Sequence, residues 1–180
     1  MAIRPILLHP DPRLKKTCDA VGVPDDGVRA LIADMFDTMY DAPGIGLAAP
    51  QVGVLRRVLV MDCAKGEDED PAPLAMIDPE ILWSSEDTNV HEEGCLSIPE
   101  EFNDVERPAR VRIGYTDEEG ARREVDCDGL AATCVQHEID HLNGRLFIDY
   151  LGPMKRQMIT NRMKKRKKER AAARAETARA

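Results

Sequence analysis

The stretch VQHEIDHLNG, residues 135–144, sets His137 and His141 four apart with Glu138 between them. On an α-helix, positions i and i+4 stand one above the other, so these two imidazoles can share one metal ion. The flanks support a helix there. Asp128 can cap a segment running from Gly129 to about residue 143, and Gly144 is a suitable stop. Leu130, Cys134, His137, Glu138 and His141 then share one face, with Ala131, Val135 and Leu142 on a neighbouring apolar stripe. Two ligands do not complete a catalytic zinc-type site, which normally takes three from the protein plus a water. The fold must therefore bring a third ligand to this helix.

Two familiar completions fail downstream. A third histidine six residues after the second would fall at position 147, which is Phe147. A glutamate about twenty residues on would have to come from a tail whose only acids are Asp149, Glu169 and Glu176, with Glu169 inside KKRKKERAAAR. Upstream, HEEGCLSIPE (91–100) sets Cys95 between Gly94 and Leu96, and a thiolate is a strong ligand for such ions. Cys18, Cys63 and Cys127 have no comparable setting, and Cys134 is better read as a pocket wall. Cys95 is the expected third ligand. The five cysteines are odd in number and contain no C-x-x-C pair, which argues for reduced thiols.

Elsewhere, DDGVRALIADMFDTMYDA spaces Val28, Leu31, Ile32, Met35, Phe36, Met39 and Tyr40 as a core-packing amphipathic helix, with Asp25 or Asp26 as N-cap. RRVLVMD, LAMIDPEILW, ARVRIGYTD and ARREVDC read as strands, the last two joined in a hairpin at DEEG. CAKGEDEDPAP reads as an acidic surface loop, and a final helix starts near Pro153. The expected class is α+β: mixed or antiparallel sheets around a central metal-binding helix, with a C-terminal helix. Residues 1–163 would form one catalytic domain, and 164–180 a basic helical extension.

The net charge of -8 is unevenly distributed. From Lys155 onward there are 11 basic and two acidic residues, a balance of +9, which leaves -17 on residues 1–154. A basic tail on an acidic body suggests a polyanionic partner. The tail has no aromatics to stack on bases, so phosphates are the expected contact. Met154, Met158, Ile159 and Met163 give it a short apolar stripe able to dock on the body. The sequence contains no membrane-length apolar run, and MAIRPILLHPDPRL lacks a signal-peptide pattern, so the cytoplasm is the expected compartment.

GIGLAAPQ (44–51), EGCLS (93–97) and HEIDH (137–141) together resemble the three motifs of peptide deformylases. The resemblance extends from LHPDPRL to LFIDYL, nearly the whole chain. It implies a divalent metal on Cys95, His137 and His141, with ferrous iron in the cell and zinc, nickel or cobalt as substitutes. It implies Glu138 as general acid/base, and Gln51 with Leu96 as stabilisers of the transition state. The implied reaction removes formyl from the N-terminal formylmethionine of new polypeptides, releasing formate after metal-bound water or hydroxide attacks the carbonyl. The tail would then meet ribosomal RNA.

The residue chemistry agrees with these roles. A metal with one thiolate and two neutral imidazoles lets bound water ionise near neutral pH. Glu138, flanked by two ligands, is free to move the proton. Gly44 and Gly46 permit close approach of a substrate strand to the Ile45 and Gly94 backbone, while Leu130, Cys134 and His137 can wall a methionine pocket. Glu93 either orients a metal-binding imidazole or pairs with Arg107; His9 and His91 are expected at the surface. Two other classes compete. A metallopeptidase cutting internal amides lacks its usual third ligand, and a structural-metal or ribosome-binding protein would have no use for Glu138.

Overall fold

The structure, a computed structural model, describes residues 2–64 and 71–177, with the backbone alone from residue 170 onward. Most of the expected acidic loop, at 65–70, and the last three residues of the basic extension lie outside the described residues.

Helix α1 (Asp26–Asp41) begins where Asp25 accepts a 2.8 Å hydrogen bond from the Val28 N–H, an N-cap that satisfies one orphan donor of the first turn. Its buried stripe of Val28, Leu31, Ile32, Met35 and Met39 packs on one face of a five-stranded sheet. The sheet order is β1 (Gly46–Ala48), β2 (Val58–Met61), β3 (Leu74–Ser84), β6 (Arg110–Thr116) and β7 (Arg122–Asp128), with every neighbouring pair antiparallel. The β6–β7 hairpin turns at the expected DEEG.

Strand β2 shows how the core is divided. Val58 and Val60 join the cluster of α1, whereas Leu59 and Met61 point the opposite way into the cluster of α2 (Gly129–Leu142). All four are buried, as the period of two requires when helices cover both faces of a sheet. Each fully buried aliphatic side chain of this kind contributes about 1.5–3 kcal/mol. The sheet and α2 thereby fix the helix that carries HEIDH. Asp128 takes the N-cap position of α2 but makes no capping hydrogen bond, and Gly144, at φ +71, ends the segment.

A second, two-stranded sheet has no counterpart in the expected strands. Strands β4 (Thr88–Cys95) and β5 (Ile98–Pro108) form a long hairpin that turns through Leu96 and Ser97. A third core lies beneath it, made of Leu14, Ile98, Val105, Leu146, Phe147, Ile148, Ile159 and Met163. Helix α3 (Pro153–Thr177) supplies the last two. Its expected four-residue stripe is half realised: Ile159 and Met163 are fully buried, but Met154 is 79% and Met158 53% exposed. Ile159 and Met163 are one helical turn apart on the docking face, and the other two methionines lie off it. Arg162 extends the contact to Glu101, and Arg166 to Glu100 and the Pro99 carbonyl.

His9 corrects another expectation. It is 7% exposed, not on the surface; its backbone N–H donates to the Ser97 carbonyl, and its ring Nε2 lies 2.9 Å from Thr160 Oγ1. The docking of α3 against the N-terminal segment covers it. His91, in β4, is half-buried.

Candidate metal centre and substrate cleft

Helix α2 presents His137, Glu138 and His141 toward the end of β4, all three buried. Cys95 is the last residue of β4, and its Sγ lies 3.3 Å from His141 Nε2. One donor atom from each of Cys95, His137 and His141 falls within 4.8 Å of the others, the one such group of three among the described residues. A tetrahedral ion about 2.3 Å from sulfur and about 2.0 Å from nitrogen would hold those two atoms roughly 3.5 Å apart, so the donor set fits a zinc-type ion. Thiolate plus imidazole also accepts iron, nickel or cobalt.

His137 is oriented from behind. Its Nδ1 lies 2.8 Å from Glu93 Oε2, which leaves Nε2 for the shared site. Glu93 in turn receives Arg107 Nε and Nη2 at 2.5 and 3.0 Å, while Arg107 Nη1 reaches Asp140 at 2.8 Å. The alternatives posed for Glu93 thus both hold, because a carboxylate has lone pairs for each partner. Tyr150 closes the network, donating its hydroxyl to Asp140 at 2.8 Å with its ring 4.8 Å from the Arg107 guanidinium carbon. Burial pushes the Glu93 carboxyl up, but His137 and Arg107 outweigh it and hold the group below its ordinary range.

The two imidazoles are pushed in opposite directions. Burial lowers His137, yet the hydrogen bonds to Cys95 and Glu93 prevail and raise it. Burial lowers His141 well below its usual value, and the charges of His137 and Arg107 push the same way. Glu138 is raised to about 7, first by burial and, against the opposing charge of His137, by Glu93 and Asp140. Its Oε2 is buried and finds no hydrogen-bond partner among the described residues. A carboxyl poised near neutrality can both accept and return a proton.

Gln51 stands across the site in the short 3-10 turn Ala49–Val52. Its Oε1 accepts the Ala48 N–H at 2.8 Å, which aims Nε2 at Ser97 Oγ (3.2 Å) and Cys95 Sγ (3.6 Å). Gln51 and Cys95 open onto a cavity of about 500 Å³. Gly44, Ile45 and Gly46 form one wall, Gly94, Cys95 and Leu96 another, and Leu130, Cys134, His137 and Glu138 the floor. His141 lies behind the cavity lining, reaching the site through Nε2. Gly46 is obligatory: a Cβ there would stand 2.8 Å from Cys134 Sγ and collide with Glu138 Oε1. Gly44 is less constrained, since a Cβ there would stand 2.8 Å from Leu96 Cδ1, the end of a side chain that can shift.

The polypeptide deformylase family model matches residues 3–157. The chain belongs to that family. A peptide deformylase of Afipia carboxidovorans is 57% identical over 165 residues, covering 92% of this chain and 96% of that one. The crystal structure of the Ehrlichia chaffeensis peptide deformylase superposes with a TM-score of 0.90 at 36% identity, covering 94% and 99% of the two chains. A structure of the E. chaffeensis deformylase in complex with actinonin gives 0.88 at 39% identity, covering 92% and 98%. The α+β fold is shared with these deformylases, and the chain is a hydrolase of their class, which removes N-formyl groups from nascent peptides. No helix among the described residues is long and apolar enough to cross a membrane.

Several residues around this deformylase site escaped the motif reading. Ser97 could have been noticed inside EGCLS. Asp140 lies between the two histidines, and its partner Tyr150 lies in LFIDYL, but neither carries a spacing signal for the network they form. Glu92 and Phe102, which also line the cavity, have no signal at all.

Proposed function

We propose that Cys95, His137 and His141 bind one divalent metal ion and that Glu138 is the acid/base in hydrolysis of the formyl group of formylmethionyl polypeptides. The observation that carries this reading is the convergence of the three donor atoms within 4.8 Å beside a buried glutamate raised to about 7. Ferrous iron is the proposed cellular ion, with zinc, nickel or cobalt as substitutes; when bound it supplies the Lewis acidity that lets water attack near neutral pH.

Glu138 takes a proton from the attacking water and hands it to the departing amine, leaving formate and a free N-terminus. Such positioned proton transfer is typically worth about 10²–10⁴ in rate. The Gln51 amide and the Leu96 backbone N–H donate to the oxyanion that develops on the formyl carbonyl. Gln51 is pre-aimed by its own hydrogen bond to Ala48. The peptide backbone lies as an added strand between Gly44–Gly46 and Gly94, pairing with Ile45 and Gly94 main chain, and the methionine side chain enters the pocket of Leu130, Cys134 and His137. That an E. chaffeensis relative is solved with actinonin supports a ligand-accepting cleft here.

The division into a catalytic domain at 1–163 and a basic extension at 164–180 belongs to the same reading. The extension contacts ribosomal RNA phosphates in the cytoplasm, where formylated chains emerge, and this contact weakens steeply with salt.

Formate release from N-formyl-Met-Ala-Ser tests the chemistry, using protein prepared without oxygen and loaded with ferrous iron or cobalt. Release from the formyl but not the acetyl peptide, lost by at least about 10²-fold in Glu138→Ala, is the expected result. No release with one metal bound per chain would overturn it.

A further inference from the structure

Three thiols that are not candidate metal ligands gather on one side of helix α2. Cys63, Cys127 and Cys134 pack in one core cluster with Leu59 and Met61 of β2. Cys63 stands two residues beyond Met61 and keeps to the side that Leu59 and Met61 turn toward α2. Cys134 lines the substrate cavity and Cys63 does not, so Cys63 stands behind the pocket floor.

Two contacts hold Cys63 against Cys134. The Cys134 thiol is hydrogen-bonded to the Cys63 side chain, and that bond, with burial, pushes it well above its ordinary value. Next to Cys63, the Asp62 N–H donates at 2.9 Å to the Ile45 carbonyl, whose oxygen lies 3.5 Å from Cys134 Sγ. Cys127 senses Cys63 through charge; burial first, and then that charge, push its thiol up to about 11. Access differs as well. Cys134 and Cys127 are buried and Cys63 is half-buried, so a small oxidant meets Cys63 first.

We propose that Cys63 and Cys134 are a redox pair that closes to an intramolecular disulfide behind the methionine pocket and weakens its hold on the methionine side chain. The pocket effect rests on the deformylase reading. The oxidant is a small organic disulfide. The Cys63 thiolate attacks one of its sulfurs, forming a mixed disulfide and releasing one thiol. Cys134 then attacks the Cys63 sulfur, breaking the mixed bond, and its proton leaves with the second thiol. The protein loses two electrons and the small disulfide gains them. A disulfide holds its sulfurs about 2.0 Å apart, so Cys134 Sγ must move toward Cys63 and away from the Gly46 wall. That sulfur fills the space beside Gly46, where a Cβ would stand only 2.8 Å from it. A methylene-sized change in such a pocket alters discrimination about tenfold or more.

The test treats nickel-loaded full-length protein with 2-hydroxyethyl disulfide, blocks the remaining thiols and maps the linked peptides by mass spectrometry. A Cys63–Cys134 link, reversed by dithiothreitol, is the expected product. In the linked protein kcat/KM for formyl-Met-Ala-Ser should fall about fivefold or more, while formyl-Ala-Ala-Ser, whose methyl does not reach the pocket floor, stays within about twofold. Cys63→Ser should match the untreated parent on both peptides and show no response to the oxidant. No link between these two cysteines, or Cys63 joined to Cys127 instead, would overturn the pair. A link that leaves the ratio of the two peptides unchanged would overturn its effect on the pocket. Formate from neither peptide before oxidation would overturn the deformylase reading and the pocket effect together, whereas the mapped bond decides the pair by itself.

Discussion

The five-stranded sheet, through helix α2 packed on it, and the β4–β5 hairpin each position part of one candidate metal centre, and the forces that hold them differ. Strand β2 buries Val58, Leu59, Val60 and Met61, so its two faces are gripped by apolar contact alone. Strand β5 also alternates, but its inward positions are Ile98, Glu101, Asn103, Val105 and Arg107, three of the five polar. There the hairpin rests on an apolar core through Ile98 and Val105 and is held in addition by Arg107 with Glu93 and Asp140, and by Arg162 with Glu101. Apolar burial tolerates small shifts of partner, whereas a buried charge network fixes distance and orientation and fails if one member is removed. The helix carrying two candidate ligands rests mainly on the first kind of support, and the hairpin carrying Cys95 on both.

Arg107→Ala should show the contrast most strongly. It leaves the buried Glu93 and Asp140 without the cation they share, with only His137 and the Tyr150 hydroxyl as partners, and should lower unfolding free energy by about 3–5 kcal/mol. Leu59→Ala, a cavity in the apolar half, should cost about 2–5 kcal/mol. Urea melts at several pH values separate the two. Acidification should rescue the first variant as its stranded carboxylates protonate and leave the second unchanged; equal pH responses would break the comparison. Glu93→Gln should be gentler on stability but weaken metal retention about 10- to 100-fold, read by competition with a chelator, because His137 loses its anionic partner. Unchanged retention would mean that the backbone alone orients His137.

Asp149 gives the smallest effect. It accepts the Leu146 N–H at 2.8 Å and pairs with Lys15. Burial pushes its carboxyl up, but these partners win and hold it below its usual 3.8. Since the folded value is depressed, its stabilisation is present above pH 3.8 and is lost as pH falls below that value. Asp149→Asn should therefore cost about 1–2 kcal/mol at pH 7, with the gap to the parent closing in acid. A gap independent of pH would assign the effect to packing.

The same division explains what could be read from the chain. Helices α1 and α2 were legible because Val28 to Met39 and Leu130 to His141 follow the 3.6 period and have terminal signals in Asp25 and Gly144. The β6–β7 hairpin was legible from DEEG. The β4–β5 hairpin was not, because Glu101, Asn103 and Arg107 occupy inward positions where an apolar residue would have revealed the alternation. For the candidate site, three short motifs were enough to name the side chains that the fold gathers, apart from the polar network behind them. Phe102 and Glu92 reach the cavity through cross-strand register, and register is set by pairing that no local pattern announces.

The docking of α3 has a consequence for the order of events in the protein's own synthesis. Ile159 and Met163 complete the core beneath the hairpin whose first strand ends in Cys95, and both follow the HEIDH helix in the chain. A growing polypeptide thus possesses both histidines and the cysteine well before the brace under that cysteine has been made. The final fit of the three candidate donors thus depends on a helix that follows HEIDH in the chain.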